Sequence, residues 1–515
     1  MSTQITITNI SGVPPFNVYL CDNPITLSIY IDTISTFPYN VTIPPIWSNL
    51  TSFNIKVIDD INCESILNIT LGPQPTPTPT PTPTNPFIIL VSVSGLNQFT
   101  VPTNPSYPYN YTVKTSEQTF NNVTGDILLT WSNPGDYTVE ITEQFPAYLH
   151  DGSSELQEVQ QWGDIVWSTF ENAFTNSNVD VTATDVPNLT FVTNFNYAFS
   201  ECYDLENLNG SMGLWDVSNA TSMSYMFYYA DSFNQDIGNW NVSNVTDMGH
   251  MFELADDFNQ DVGNWDVSNV TNMSYMFDSS DFNNGGSPSI NNWNVSGVTD
   301  MNSMFSYSFN QPIGNWDVSN VTDMSDMFGY SFNQPIGNWD VSNVTNMNDM
   351  FNNTNFNQPL SGWNVSNVTD MSGMFRDTPF DQYINNWNVS NVTNMNHMFG
   401  GSNFNQPLSG WNVSNVTDMG AMFWDFFGST TLFNQDIGNW NVSGVTDFVL
   451  FMGNRTDSDY LDVYLDSIYN GWSSLPSVQS GININFGSIK YTAAGTAGRA
   501  ILSGTYGWSI VDGGI

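Results

Sequence analysis

The chain has 515 residues, 40% hydrophobic and 14% aromatic, which is enough apolar surface for packed cores and too much length for one ordinary domain. Six Lys and Arg stand against 49 Asp and Glu, for a formal net charge of -43, and that balance argues against nucleic-acid binding because phosphates would be repelled. Such a surface stays soluble by self-repulsion and gathers cations around it. No apolar run approaches the ~18 residues needed to span a bilayer, so membrane insertion is not expected.

Residues 1–72 alternate in short β-like runs: Ile5 and Ile7, then Phe16, Val18 and Leu20, then Ile25, Leu27, Ile29 and Ile31. A small β-sandwich-like module is expected. Cys21 and Cys63 fall inside it and can meet as a disulfide or remain two buried thiols. With Cys202 the cysteine count is odd, and no CxxC spacing points to zinc or redox chemistry. The N-terminus lacks a basic start followed by an apolar core of signal-peptide length. Residues 73–86 alternate Pro and Thr, a composition that favours polyproline II and makes a stiff linker roughly 40 Å long.

Residues 87–150 form a second β-rich unit, with period-two alternation over Tyr109–Val113 and Gly135–Ile141. From Gln157, Val159, Trp162, Ile165, Val166, Phe170 and Phe174 recur at helical spacing, so that stretch is expected to be a helical entry cap, within residues 151–210 as N-terminal cap and entry of the solenoid. Residues 211–455 carry about ten tandem repeats of roughly 24 residues, marked by Trp at 215, 240, 265, 293, 316, 339, 363, 387, 411 and 440. A typical copy runs from Phe309 to Phe328 and reads as a short strand around its Phe-Asn-Gln and Asn-Trp segments, a turn at Ser-Asn, and a short helical turn at Met-x-x-Met-Phe. Nine copies carry that Met pair, which accounts for 18 of the 21 methionines. One unit cannot bury its own apolar face, so neighbours must stack into a repeat solenoid with ladders of Phe, Trp, Val and Met. Two further positions alternate between Asp and Asn, the residue after Trp and the residue before the first Met, as in Asp266/Asn272 and Asn294/Asp300. Stacked like charges repel, whereas Asn keeps the hydrogen bonds without the charge. Residues 456–515 read as a C-terminal cap, with Asp457 or Ser458 starting a helix and short strands at 482–486 and 508–511.

The motif Trp-[Asp/Asn]-Val-Ser-[Asn/Gly]-Val-Thr-[Asp/Asn] recurs nine times and closely resembles the repeats of BspA-like leucine-rich repeat surface proteins. Residues 87–148 look like a PKD-type β-sandwich, although Lys114-Thr-Ser-Glu stands where a Trp-Gly-Asp-Gly turn is usual. The resemblance implies a right-handed solenoid of short strand plus short helical turn per repeat, preceded by all-β sandwich-like domains. It also implies adhesion or surface display and no catalytic residues.

Candidate chemistry is sparse. His150, His250 and His397 stand in non-equivalent contexts without a nucleophile motif, and the latter two fall between paired methionines at an outward position. Asp457, Asp459 and Asp462 lack the glycine and terminal Glu of a calcium loop, so no cofactor is expected beyond loosely bound calcium. The repeated Trp reads as core in preference to a sugar-stacking stripe. Binding is expected on the variable inserts after Met-Phe, with Arg376, Trp424, Phe426 and Phe427 as ligand residues. The chain is therefore expected to be a non-enzymatic protein of a virion or extracellular surface, a fibre or appendage that meets protein or glycan on a host or neighbouring cell. A self-assembling filament subunit (a homo-oligomer) and a bacterial cell-surface adhesin are the alternatives.

Overall fold

The computed structural model describes residues 85–515 apart from 151, 153, 208, 306 and 426–430, together with the backbone of six strands nearer the N-terminus. These six are β1 (Gln4–Ile7), β2 (Phe16–Cys21), β3 (Ser28–Ile34), β4 (Tyr39–Thr42), β5 (Ser52–Ile58) and β6 (Glu64–Thr70). β1 pairs with β4, and the others form an antiparallel sheet in the order β3-β2-β5-β6. The proposed Cys21–Cys63 pairing lies outside the described residues.

The second unit contains β7 (Phe87–Val93), β8 (Gln98–Val101), β9 (Asn110–Lys114), β10 (Thr119–Val123), β11 (Ile127–Thr130) and β12 (Gly135–Gln144). Phe87, Ile89, Val91 and Val93 point inward while the residues between them are partly exposed, the period-two pattern of a half-buried strand. The sheet then continues into the following segment through β13 (Leu156–Gln161), antiparallel to β7, and β14 (Asp180–Val181), parallel to β13. This corrects the helical cap expected from Gln157 onward. The free edge of β7 captures Leu156–Gln161 as a strand, and turns carry Trp162, Trp167, Phe170 and Phe174 into the core. Tight turns reverse the chain every three or four residues, so their buried positions mimic helical spacing. One apolar cluster runs without a break from Phe87 to Trp508.

Within the repeats the regular contact is a single parallel bridge per copy. It does not lie at Phe-Asn-Gln or Asn-Trp as expected, but at the Asp or Asn before the first Met: Asp247 to Asn272, Asn272 to Asp300, and onward to Asp447. The Asp/Asn exchange has a direct cause. The side-chain oxygen accepts the backbone N–H two residues on, as in Asp247 with Gly249 (3.0 Å) and Asn272 with Ser274 (3.0 Å), and either residue supplies that oxygen. Where Asn follows Asp, its amide also donates to the neighbouring carboxylate, as from Asn346 to Asp323 (3.1 Å). The Asn of Phe-Asn-Gln forms a second ladder, accepting from the backbone of the next copy at Asn259→Asn234, Asn283→Asn259 and Asn310→Asn283. Each Trp is at most 4% exposed, which places it in the core. From Trp240 on, the indole N–H donates to a backbone carbonyl of the preceding copy, for example Trp363 to Ile336 at 3.1 Å. Polar side chains thus add to the backbone bonds between copies, such as Met248 N to the Asn272 carbonyl (3.1 Å) and Phe252 N to the Met276 carbonyl (2.9 Å).

The chain ends in α1 (Asp462–Ser473), β15 (Asn483–Asn485), α2 (Thr496–Thr505) and β16 (Ser509–Val511), with β15 and β16 parallel. The helix does not start at Asp457 or Ser458. Asp459 instead accepts from Thr456 N (2.8 Å) and Oγ1 (2.6 Å), while buried Arg455 donates to the Phe433 and Asp459 carbonyls. These bonds hold a turn there and delay the helix to Asp462.

Candidate binding face

The paired methionines do not sit on a helical turn. Met226 N donates to the Met223 carbonyl (3.2 Å), and Tyr225 between them has φ +59°, the third position of a type II turn. The same left-handed residue recurs in every copy: Tyr197, Tyr225, His250, Tyr275, Ser303, Asp326, Asp349, Gly373, His397, Ala421 and Leu450. An L-residue there costs about 1–2 kcal/mol. Bonds between copies hold it in place, such as His250 N to the Ser274 carbonyl (2.9 Å) and His397 N to the Gly420 carbonyl (2.8 Å). Both methionines are buried, whereas the left-handed residue between them is at least partly exposed in most copies, with Ser303, Gly373 and Ala421 buried.

This column divides into two parts. The first is aromatic: Tyr197, Tyr225, His250 and Tyr275 stack nearly parallel, with centroids 4.6, 4.1 and 4.7 Å apart. His250 is therefore half-buried between two rings and not freely exposed as expected, and its Nδ1 meets Glu253 Oε2 at 2.5 Å. Tyr228 packs edge-on to Tyr225, and Tyr203 edge-on to Tyr229. The phenols of Tyr203, Tyr225 and Tyr228 are raised above their ordinary values, first by loss of water and then by neighbouring groups that include Glu201 or Glu253.

The second part is polar. Asp326 is pushed up to about 6 by loss of water around its carboxylate and by the charge of Asp349. Asp349 is raised by burial, against the opposing pull of Arg376. Next in the column comes Gly373, which borders a cavity of about 270 Å³ lined by Asp349, Arg376, Asn396, His397 and Asp418 among others. A Cβ on Gly373 would lie 2.0 Å from Asp349 Oδ1. His397 is lowered by burial and by Arg376, so its imidazole is held neutral.

Of the expected ligand residues, Arg376 lines this cavity and Trp424 lies edge-on to His397 at 5.9 Å, whereas Phe426 and Phe427 fall outside the described residues. The aromatic column and Asp349, Gly373 and His397 were not foreseen. Their signal was present, because the position between the methionines changes character from copy to copy within a constant motif. His150 is buried, stacked on Tyr148 (6.3 Å), in the region where the β-unit meets the repeats. Asp457 and Asp462 are occupied locally, accepting from Lys490 N and Val463 N. Among the described residues, no group of three or more His, Cys, Asp or Glu is arranged to hold a metal ion, and no helix is long and apolar enough to cross a membrane.

Compared with known families, the chain matches the one described as "Mycoplasma protein of unknown function, DUF285" over residues 168–288, 282–379 and 352–460, more than half its length. No curated protein and no solved structure matches it.

Proposed function

We propose that this chain, which belongs to the DUF285 family of tandem-repeat proteins, is a non-enzymatic surface protein whose repeats form a BspA-like solenoid for display and recognition. The observation that carries the reading is the contrast inside each repeat. Phe, Trp, Val and Met stay buried at every copy, while the single left-handed position between the methionines runs from tyrosine through aspartate to glycine. A frame that holds its backbone constant and varies one outward column suits recognition of an extended partner. The modular order supports display: a β-module, a Pro-Thr spacer, a PKD-like β-unit and then the stack. A fibre or appendage on a virus particle is the form this reading favours. Antibodies against residues 211–455 should label intact particles or unpermeabilised cells in immunogold electron microscopy. Labelling seen only after permeabilisation would overturn surface display.

A further inference from the structure

We infer that the tyrosine-rich end of the stack, around Tyr203, Tyr228 and Tyr229, is a docking surface for a cationic segment of another protein, an extended run of lysine or arginine side chains. The inference gives the recognition reading a partner chemistry and rests on it for biological context only.

Five tyrosines meet here on successive copies without being buried by the fold. Tyr203 lies edge-on to Tyr229 at 5.0 Å, Tyr229 is 6.2 Å from Tyr228, Tyr228 is edge-on to Tyr225 at 5.6 Å, and Tyr225 stacks on Tyr197. Tyr197, Tyr203 and Tyr229 are 38, 36 and 37% exposed, unlike the Trp and Phe ladders beneath them. Three of the five also sit where the backbone disfavours a bulky ring. Tyr197 and Tyr225 belong to the left-handed column between the methionines, and Tyr229 (φ +56°) belongs to a second one, where other copies carry Leu254, Asn353 and Gly401. Glycine and asparagine adopt that backbone at the least cost and a large side chain at the most. A ring held there and left in water adds little to the core, and what it offers is contact surface.

The surroundings select the charge of the partner. No Lys or Arg occurs between Lys114 and Arg376. Glu201 and Asp231 bear on the Tyr203 phenol and Glu253 on Tyr225 and Tyr228, each adding to the loss of water that raises those phenols. Asp231 is itself raised, first by loss of water and then by Asp256 and Asp257. Ring faces and full negative charges therefore act in the same direction, attracting ammonium and guanidinium groups. Because rings and carboxylates are spread over successive copies, an extended segment engages several at once, whereas a small cation engages one. Nucleic acid meets only like charge here. A second copy of a chain with net charge -43 is repelled as well.

The test is fluorescence anisotropy of the full chain with a labelled arginine–glycine repeat peptide at physiological salt, where charges more than ~8 Å apart are largely screened. Saturable binding is expected. Tyr203→Ala with Tyr229→Ala should weaken it about five- to thirtyfold, the loss expected for two cation–π contacts. Tyr307→Ala with Tyr330→Ala removes another exposed, stacked pair (5.3 Å) at the same net charge and should leave it unchanged. Glu201→Gln with Asp231→Asn should weaken binding about twofold or more. That loss should exceed the one from Asp317→Asn with Asp340→Asn, which removes the same charge at exposed positions where other copies carry Asn. If the Tyr203 and Tyr229 double variant does not fold, Tyr229→Leu decides, with a loss of about two- to fivefold; the next copy carries Leu254 at that position. No saturable binding would overturn the proposal. So would equal losses from the two tyrosine pairs or from the two carboxylate pairs, which would show only a polycation condensing on an acidic chain. Sedimentation that finds the wild type dimeric and the Tyr203 and Tyr229 variant monomeric would assign the surface to a second copy and overturn it too. None of these outcomes touches surface display, which the labelling experiment tests separately.

Discussion

The aromatic and polar halves of the column share one backbone and differ only in what the backbone carries. Tyr225 and Gly373 have φ of +59° and +61°, and each donates its N–H to the next copy, to Gly249 at 3.1 Å and Asn396 at 2.8 Å. In the first half the side chains satisfy one another by stacking; in the second, the Asp349 carboxylate takes the space that a side chain at Gly373 would fill. A side chain missing from one copy is therefore replaced in space by one from its neighbour. The variable inserts are not the only place to look for function in such a chain.

If the frame is common, damage to it should cost the same in both halves. Trp265→Ala and Trp363→Ala each remove a buried indole and its bond to a carbonyl, at 3.0 and 3.1 Å. Each should destabilise by about 3–5 kcal/mol in urea unfolding, and a large disparity between them would show that the halves fold differently. The column itself should respond unequally. Gly373→Ala should cost about 1–2 kcal/mol for the left-handed backbone alone, with the clash against Asp349 adding to it. Ala421→Gly, at φ +51°, should be neutral or gain up to ~1 kcal/mol, read from paired thermal melts. Tyr225→Ala should lose about 0.5–1.5 kcal/mol of ring stacking and leave Gly373 and its neighbours unperturbed in amide exchange.

The smallest effect is electrostatic. The Asp326 carboxyl, at about 6, binds its proton more tightly in the folded chain than in the unfolded one. Its contribution to stability is therefore complete below the unfolded value, near 4, and is lost as pH rises through about 6. Relative to the wild type, Asp326→Asn should gain stability between pH 4 and 7. Asp349→Asn should lower the Asp326 titration midpoint seen by carboxyl-carbon NMR. A midpoint that stays near 6 in that variant would remove Asp349 as a cause.

The repeat was legible because its spacing is carried by residues that must be buried: the Trp period, the Met pair and the flanking Phe each mark a core position, and burial confirms each. The Asp/Asn exchange was legible for a related reason, since only the shared oxygen is structurally required. The turn type was not. Two methionines three apart fit a helical turn and a type II turn equally well, and the choice depends on the N–H of the residue between them finding a carbonyl in the next copy. Residues 157–174 misled in the same way, because whether Leu156–Gln161 became a strand was decided by the open edge of β7, more than sixty residues earlier in the chain. Nor could the cavity be read in advance, because a glycine in a sequence says only that a side chain is missing. What fills its place depends on Asp349, one repeat away, which stacking alone brings against it. Periodic burial is a property of the chain and was written in its sequence; pairing between copies is a property of the stack, and only the tertiary structure fixed it.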